Sequence, residues 1–261
     1  MIDYDGMVGG GWGSANACFF DPEQWFVIEV DQRGSGKSQP SVRDDVAHMA
    51  LYMDITIAQM SSDFEAVRTH LGIDRWLVFG GSWGSTLGLD YAERYPKRCL
   101  GLIIRGIFLD TEPEFDAIYA RKSFEGNPRR QAEFDTFFEP AAKEALRRGE
   151  PPLDPSDDSQ RFLRIYEDLI TAGDRNAIWR FMAFEVNLDA DPEDMIDPHT
   201  IDEAAFAKAQ SVAFFETRLF LNVTSQAINK SMVALSFSEL IACDSRARSS
   251  SPRSCWSGSL A

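Results

Sequence analysis

The chain has 261 residues, 44% of them hydrophobic, which suits one large α/β domain or a core carrying an inserted subdomain. A formal net charge of −15 argues against nucleic acid and anionic membrane as partners, and no run of about 18 apolar residues offers a membrane span. The acidic start Met1-Ile2-Asp3-Tyr4-Asp5 lacks the basic-then-apolar pattern of a secretory leader, and Cys18, Cys99, Cys243 and Cys255 show no paired metal spacing, so a cytoplasmic protein with free thiols and no metal site is expected.

In chain order, Trp25-Phe26-Val27-Ile28-Glu29-Val30 reads as a buried parallel strand ending at Asp31, followed by a turn at Gly34-Ser35-Gly36. Ile57, Met60, Phe64, Val67 and Leu71 recur at spacings of three and four, which predicts an amphipathic helix over 54–71 closed by Gly72. The apolar run 76–79 is the next strand. It runs into Gly80-Gly81-Ser82-Trp83-Gly84 and then a helix-like stretch that Pro96 stops. Residues 99–104 form a third strand. Strand, helix, strand, helix, strand implies a parallel sheet with helices on its faces.

From Thr111 the pattern turns helical. Four apolar stripes follow: Phe134, Phe137, Phe138 and Ala141; Phe162, Ile165, Leu169 and Ile170; Ile178, Phe181 and Met182; Phe206, Ala209, Val212 and Ala213. A helical insertion after a sheet strand reads as a cap over the active-site end of the sheet. Beyond Asn222 the composition changes: acids dominate 110–222, whereas serine dominates 223–261 and bases outnumber acids. The expected organisation is therefore a core at 1–109, a cap at 110–222 and a disordered serine-rich tail at 223–261.

Gly-x-Ser-x-Gly between a strand and a helix is the pattern of a nucleophile elbow, in which the serine stands exposed on a strained turn. Glycines beside it let neighbouring backbone pass close. Ser82 is the candidate nucleophile, and the backbone N–H of Trp83 the candidate oxyanion donor.

Several segments together resemble one family: Phe20-Asp21-Pro22-Glu23-Gln24-Trp25, Asp31-Gln32-Arg33-Gly34-Ser35-Gly36-Lys37-Ser38, Leu71 through Trp76, Gly80 through Ser85, and Arg105-Gly106-Ile107-Phe108-Leu109. They are similar to the prolyl aminopeptidases, or proline iminopeptidases, of the α/β-hydrolase superfamily. The resemblance implies an α/β-hydrolase core, here incomplete, with a helical cap. It also implies a serine exopeptidase that releases N-terminal proline from peptides through a Ser82 acyl-enzyme, without a cofactor. Family members recognise the substrate's free amino end with cap glutamates, and Glu185 and Glu216 fall at matching places. Two carboxylates facing a secondary ammonium would neutralise the buried cation and accept its hydrogen bonds.

The departures matter as much. The family's His-Gly-Gly-Pro-Gly-Gly loop survives only as the glycine end of Asp5-Gly6-Met7-Val8-Gly9-Gly10-Gly11, and the strands ahead of that loop have no counterpart. In this superfamily the triad order is Ser, Asp, His. Here His48 and His70 precede Ser82, His199 lies in the cap, and the one aspartate after Asn222 is Asp244. No triad Asp or His is recognisable, so a chain truncated at both ends relative to the family, with little or no activity, is expected. Other α/β-hydrolase-type esterase or amidase activity, or a non-catalytic peptide-binding fragment, are the alternatives.

Overall fold

The computed structural model describes residues 20–223, apart from Pro22 and Asp110. The glycine loop at 5–11, Cys18, the serine-rich tail with Asp244, Cys243 and Cys255 all lie outside the described residues. Strand β1 (Trp76–Gly81) and strand β2 (Cys99–Arg105) pair in parallel, from Trp76 opposite Cys99 to Gly81 opposite Arg105. Between them runs helix α2 (Trp83–Arg94), packed on both strands and backed by helix α1 (Ile57–His70). This is the expected β-α-β unit.

Helix α1 starts three residues later than the periodicity suggests, because Thr56 caps it. Thr56 Oγ1 accepts from the Gln59 N–H and Gln59 Oε1 accepts from the Thr56 N–H, a reciprocal box that fixes the first turn. At the other end the Gly72 N–H reaches the Thr69 carbonyl and the Ile73 N–H the Arg68 carbonyl, a Schellman closure. Ser61 Oγ and Arg94 Nε both donate to Asp90, tying α1 to α2.

Among the described residues the run 25–30 has no strand pairing to β1 or β2, and the Phe26 ring is exposed. Among the described residues the sheet consists of β1 and β2. On β2, Leu100 and Ile103 reach solvent. Residues 46–52 form a 3-10 helix that carries no periodic signal in the sequence.

The chain then builds a helical layer: α3 (Glu112–Tyr119), a 3-10 turn (Arg121–Phe124), α4 (Pro128–Arg147), α5 (Ser159–Thr171), α6 (Arg175–Asp189) and α7 (Glu203–Val223). Helices α4 to α7 pack on one another. The four sequence stripes supply their core, with Phe138 and Leu169 at its margin. Pro140 sits inside α4 and cannot donate to the Thr136 carbonyl one turn back. Arg180 of α6 takes that carbonyl instead, its Nη1 lying 2.9 Å from Thr136 O. Arg130 of α4 in turn caps the carbonyls of Asn187 and Leu188 at the end of α6.

The helical layer meets the first half of the chain at the 31–38 turn. Gly34 has φ +80°, and a Cβ there would lie 2.4 Å from Phe215 Cζ on α7 and 2.7 Å from Tyr52 Cε2. Gly34→Ala is expected to destabilise the protein by at least about 2 kcal/mol, from overpacking joined to left-handed strain. A denaturation midpoint equal to that of the wild type would show that the contact relaxes freely.

Candidate active site

Ser82 is where β1 becomes α2. It has φ 50° and ψ −123°, and among the described residues it is the one non-glycine with positive φ. The turn is held on both sides of that strained residue. Its N–H donates to the Arg105 carbonyl at 3.1 Å, and its carbonyl accepts from the Ser85 N–H at 2.8 Å and from Ser85 Oγ at 2.6 Å. The glycine before it lies against the Arg105 side chain, and a Cβ on Gly81 would lie 2.9 Å from Arg105 Cζ, so that side chain would have to shift. The 106–108 segment is stapled over the first turn of α2 by Thr86 Oγ1 donating to Phe108 O and the Phe108 N–H donating to Ser85 Oγ. Ser82 itself is exposed, and its hydroxyl does not cap the helix.

Trp83 opens α2, so its N–H has no carbonyl one turn back to bind. Among the described residues it donates to no other acceptor. Its indole is fully buried, with Nε1 at 3.4 Å from Gln32 Oε1 and the ring 5.8 Å from that of Phe220 on α7. Phe220 also meets the rings of Phe108, Phe115 and Tyr119. Tyr119, itself buried, donates its hydroxyl to Glu185 Oε1 at 2.6 Å. A continuous run of aromatic rings thus links the residue after Ser82 to Glu185.

Glu216 is fully buried on α7, one turn before Phe220 and on the same face of the helix. Arg218 anchors that helix by an ion pair with Glu167 of α5 at 2.9 Å and by its contact with Met53 Sδ. Burial pushes the Glu167 carboxyl up, against the Arg218 charge that pulls it down. The sequence alone missed Tyr119, which has no motif around it; its spacing from Phe115 would have marked it only as core.

Among the described residues none of the three histidines is hydrogen-bonded to Ser82. His48 Nδ1 lies 2.8 Å from Ser41 O, His70 is the exposed last residue of α1, and His199 is exposed in the connection before α7. Asp197 is held below the usual carboxylate range by the His199 N–H and the Thr200 hydroxyl. Among the described residues no group of His, Cys, Asp or Glu is arranged to hold a metal, and no helix is long and apolar enough to cross a membrane.

A parallel strand pair, a helix between them and a strained serine at the strand-to-helix turn define a class, and the family model for the alpha/beta hydrolase fold matches residues 6–212. The chain belongs to the alpha/beta hydrolase family. Within it, the chain is similar to proteins called proline iminopeptidases. A "Probable proline iminopeptidase" from Leptolyngbya boryana is 52% identical over 109 residues, 42% of this chain and 32% of the relative. One from Arabidopsis thaliana is 45% identical over 119 residues, 46% of this chain and 29% of the relative. One from Neisseria gonorrhoeae is 47% identical over 103 residues, 39% of this chain and 31% of the relative. The chain spans about a third of the length of these curated relatives.

Proposed function

We propose that this chain carries the nucleophile and amino-end recognition parts of a serine exopeptidase site that releases N-terminal proline from peptides. The observation that carries the reading is the left-handed backbone of exposed Ser82 at the end of β1. Such strain persists only where the surroundings hold it, and it aims the hydroxyl out of the sheet. Ser82 Oγ would attack the prolyl carbonyl. The Trp83 N–H would meet the developing oxyanion, and Glu185 and Glu216 would receive the secondary ammonium from the cap, residues 110–222 over a core at 1–109. Tyr119 supports this role by fixing one oxygen of Glu185.

Fluorophosphonate labelling tests the nucleophile. The Oγ–P bond forms, fluoride leaves and the serine proton passes to water, so an adduct on Ser82 that disappears in Ser82→Ala supports acyl-transfer geometry. A second reading, a peptide-binding module without chemistry, is favoured because among the described residues no histidine is hydrogen-bonded to Ser82. An unlabelled Ser82 in a chain that still binds prolinamide would establish it.

The cap glutamates give a prediction of their own. Glu216→Gln is expected to weaken prolinamide binding by about 1.5–3 kcal/mol, roughly tenfold to a hundredfold, because a charge-assisted hydrogen bond is lost. Binding of N-acetylprolinamide, which has no ammonium, should barely change. Equal losses on both ligands by calorimetry would assign Glu216 to the fold instead.

A further inference from the structure

The Asp31-Gln32-Arg33-Gly34 stretch was singled out by resemblance, yet the proposed chemistry gives it no part. Its placement does. Gln32 is 4% exposed, and its carbonyl accepts from both the N–H and the hydroxyl of Ser35, at 3.0 and 2.9 Å, so the turn braces its backbone. Its side chain leaves that turn and reaches the Trp83 indole, with Oε1 at 3.4 Å from Nε1. The other end of the carboxamide, Nε2, is buried and among the described residues has no hydrogen-bond partner. A methionine would fill the same space without leaving a donor unmet, and a buried unmet donor is costly. What glutamine adds over methionine is the acceptor for the indole.

We propose that Gln32 is a positioning residue for the nucleophile turn, holding the Trp83 indole and through it the first N–H of α2. The inference rests on the reading of Ser82 and Trp83 as nucleophile and oxyanion donor. Trp83 is the residue joined directly to Ser82, so rotation of its side chain and tilt of its backbone are felt at the attacking oxygen and at the oxyanion donor together. The same turn bears on α7, since Gly34 admits the Phe215 ring next to Glu216. One short turn is therefore in contact with the residue after the nucleophile and with the helix that carries a candidate ammonium acceptor.

The test uses the full chain with Gln32→Met, which removes the acceptor at similar volume, Gln32→Glu, which keeps it, and Trp83→Phe, which removes the indole N–H. The folded fraction is checked for each by circular dichroism. The rate of Ser82 phosphonylation by a fluorophosphonate is expected to fall about tenfold in Gln32→Met and about tenfold in Trp83→Phe, with no further loss in the double variant and with Gln32→Glu within about threefold of wild type. Losses that multiply in the double variant, or a rate unchanged in Gln32→Met, would overturn the proposal. A second readout separates its failure from that of the nucleophile. Of the six tryptophan indole N–H resonances in the chain, the one lost in Trp83→Phe belongs to Trp83. That resonance should move upfield in Gln32→Met and stay near its place in Gln32→Glu, whether or not Ser82 reacts. If Ser82 takes no label, the nucleophile reading falls and the indole resonance alone decides for Gln32; an unmoved resonance in Gln32→Met overturns its role.

Discussion

Turnover of a proline chromogenic amide by this chain is expected to fall about 10,000-fold or more below that of a competent serine hydrolase. Serine Oγ is a weak nucleophile near neutral pH and needs a hydrogen-bonded base, which must afterwards protonate the leaving amine. Among the described residues the turn supplies Ser82 and an N–H at Trp83 that donates to no acceptor, but His48 is engaged with Ser41 O and neither His70 nor His199 bonds Ser82. On the proposed reading, what remains is binding and the Trp83 N–H as oxyanion donor, which give a small residual rate. A turnover near 10 per second, typical of enzymes and abolished by Ser82→Ala, would refute this. Were that seen, His199→Ala is the informative next variant, because unchanged turnover in it would exclude His199 as a substitute base.

The largest stability effect is expected at Phe137. Its ring stacks on Phe184 at 4.1 Å with the planes 3° apart, and meets Phe162 at 4.9 Å and Tyr166 at 4.8 Å. It is 1% exposed at the centre of the packing between α4, α5 and α6. Phe137→Ala would leave a cavity bounded by other rings that cannot close over it, and about 3–5 kcal/mol of stability should go. Denaturant unfolding measures it, and a loss under about 1 kcal/mol would mean the neighbouring rings collapse into the space. Phe184 precedes Glu185, so prolinamide binding should weaken in the same variant.

The contrast between Ser82 and the residues around it shows what a sequence can and cannot disclose. The strand-to-helix turn was legible because its backbone favours particular residues at fixed spacing: small ones beside the Arg105 side chain, then serine at positive φ. The helical stripes were legible because period alone decides which face is buried. At 25–30 the apolar character was legible but the neighbour was not, because a strand's sequence does not carry the identity of the chain it pairs with. The Tyr119–Glu185 bond spans two helices far apart in the chain, and the Gln32–Trp83 contact joins a turn to the elbow, so neither leaves a local signal. The start of α1 was misplaced for a different reason, a cap whose partner sits three residues inside the helix.

Pro140 alters how the helical layer holds together. In an uninterrupted helix every carbonyl before the last four is answered from within, so the helix interior can form or fray on its own account. Here the Thr136 carbonyl is answered by Arg180 from α6, while the end of α6 is answered by Arg130 from α4. Each helix completes the other, and neither has all its polar groups met alone. Opening one exposes unmet groups on its partner, so the pair should exchange its amide hydrogens as a single cooperative unit even though the two helices are separate in sequence.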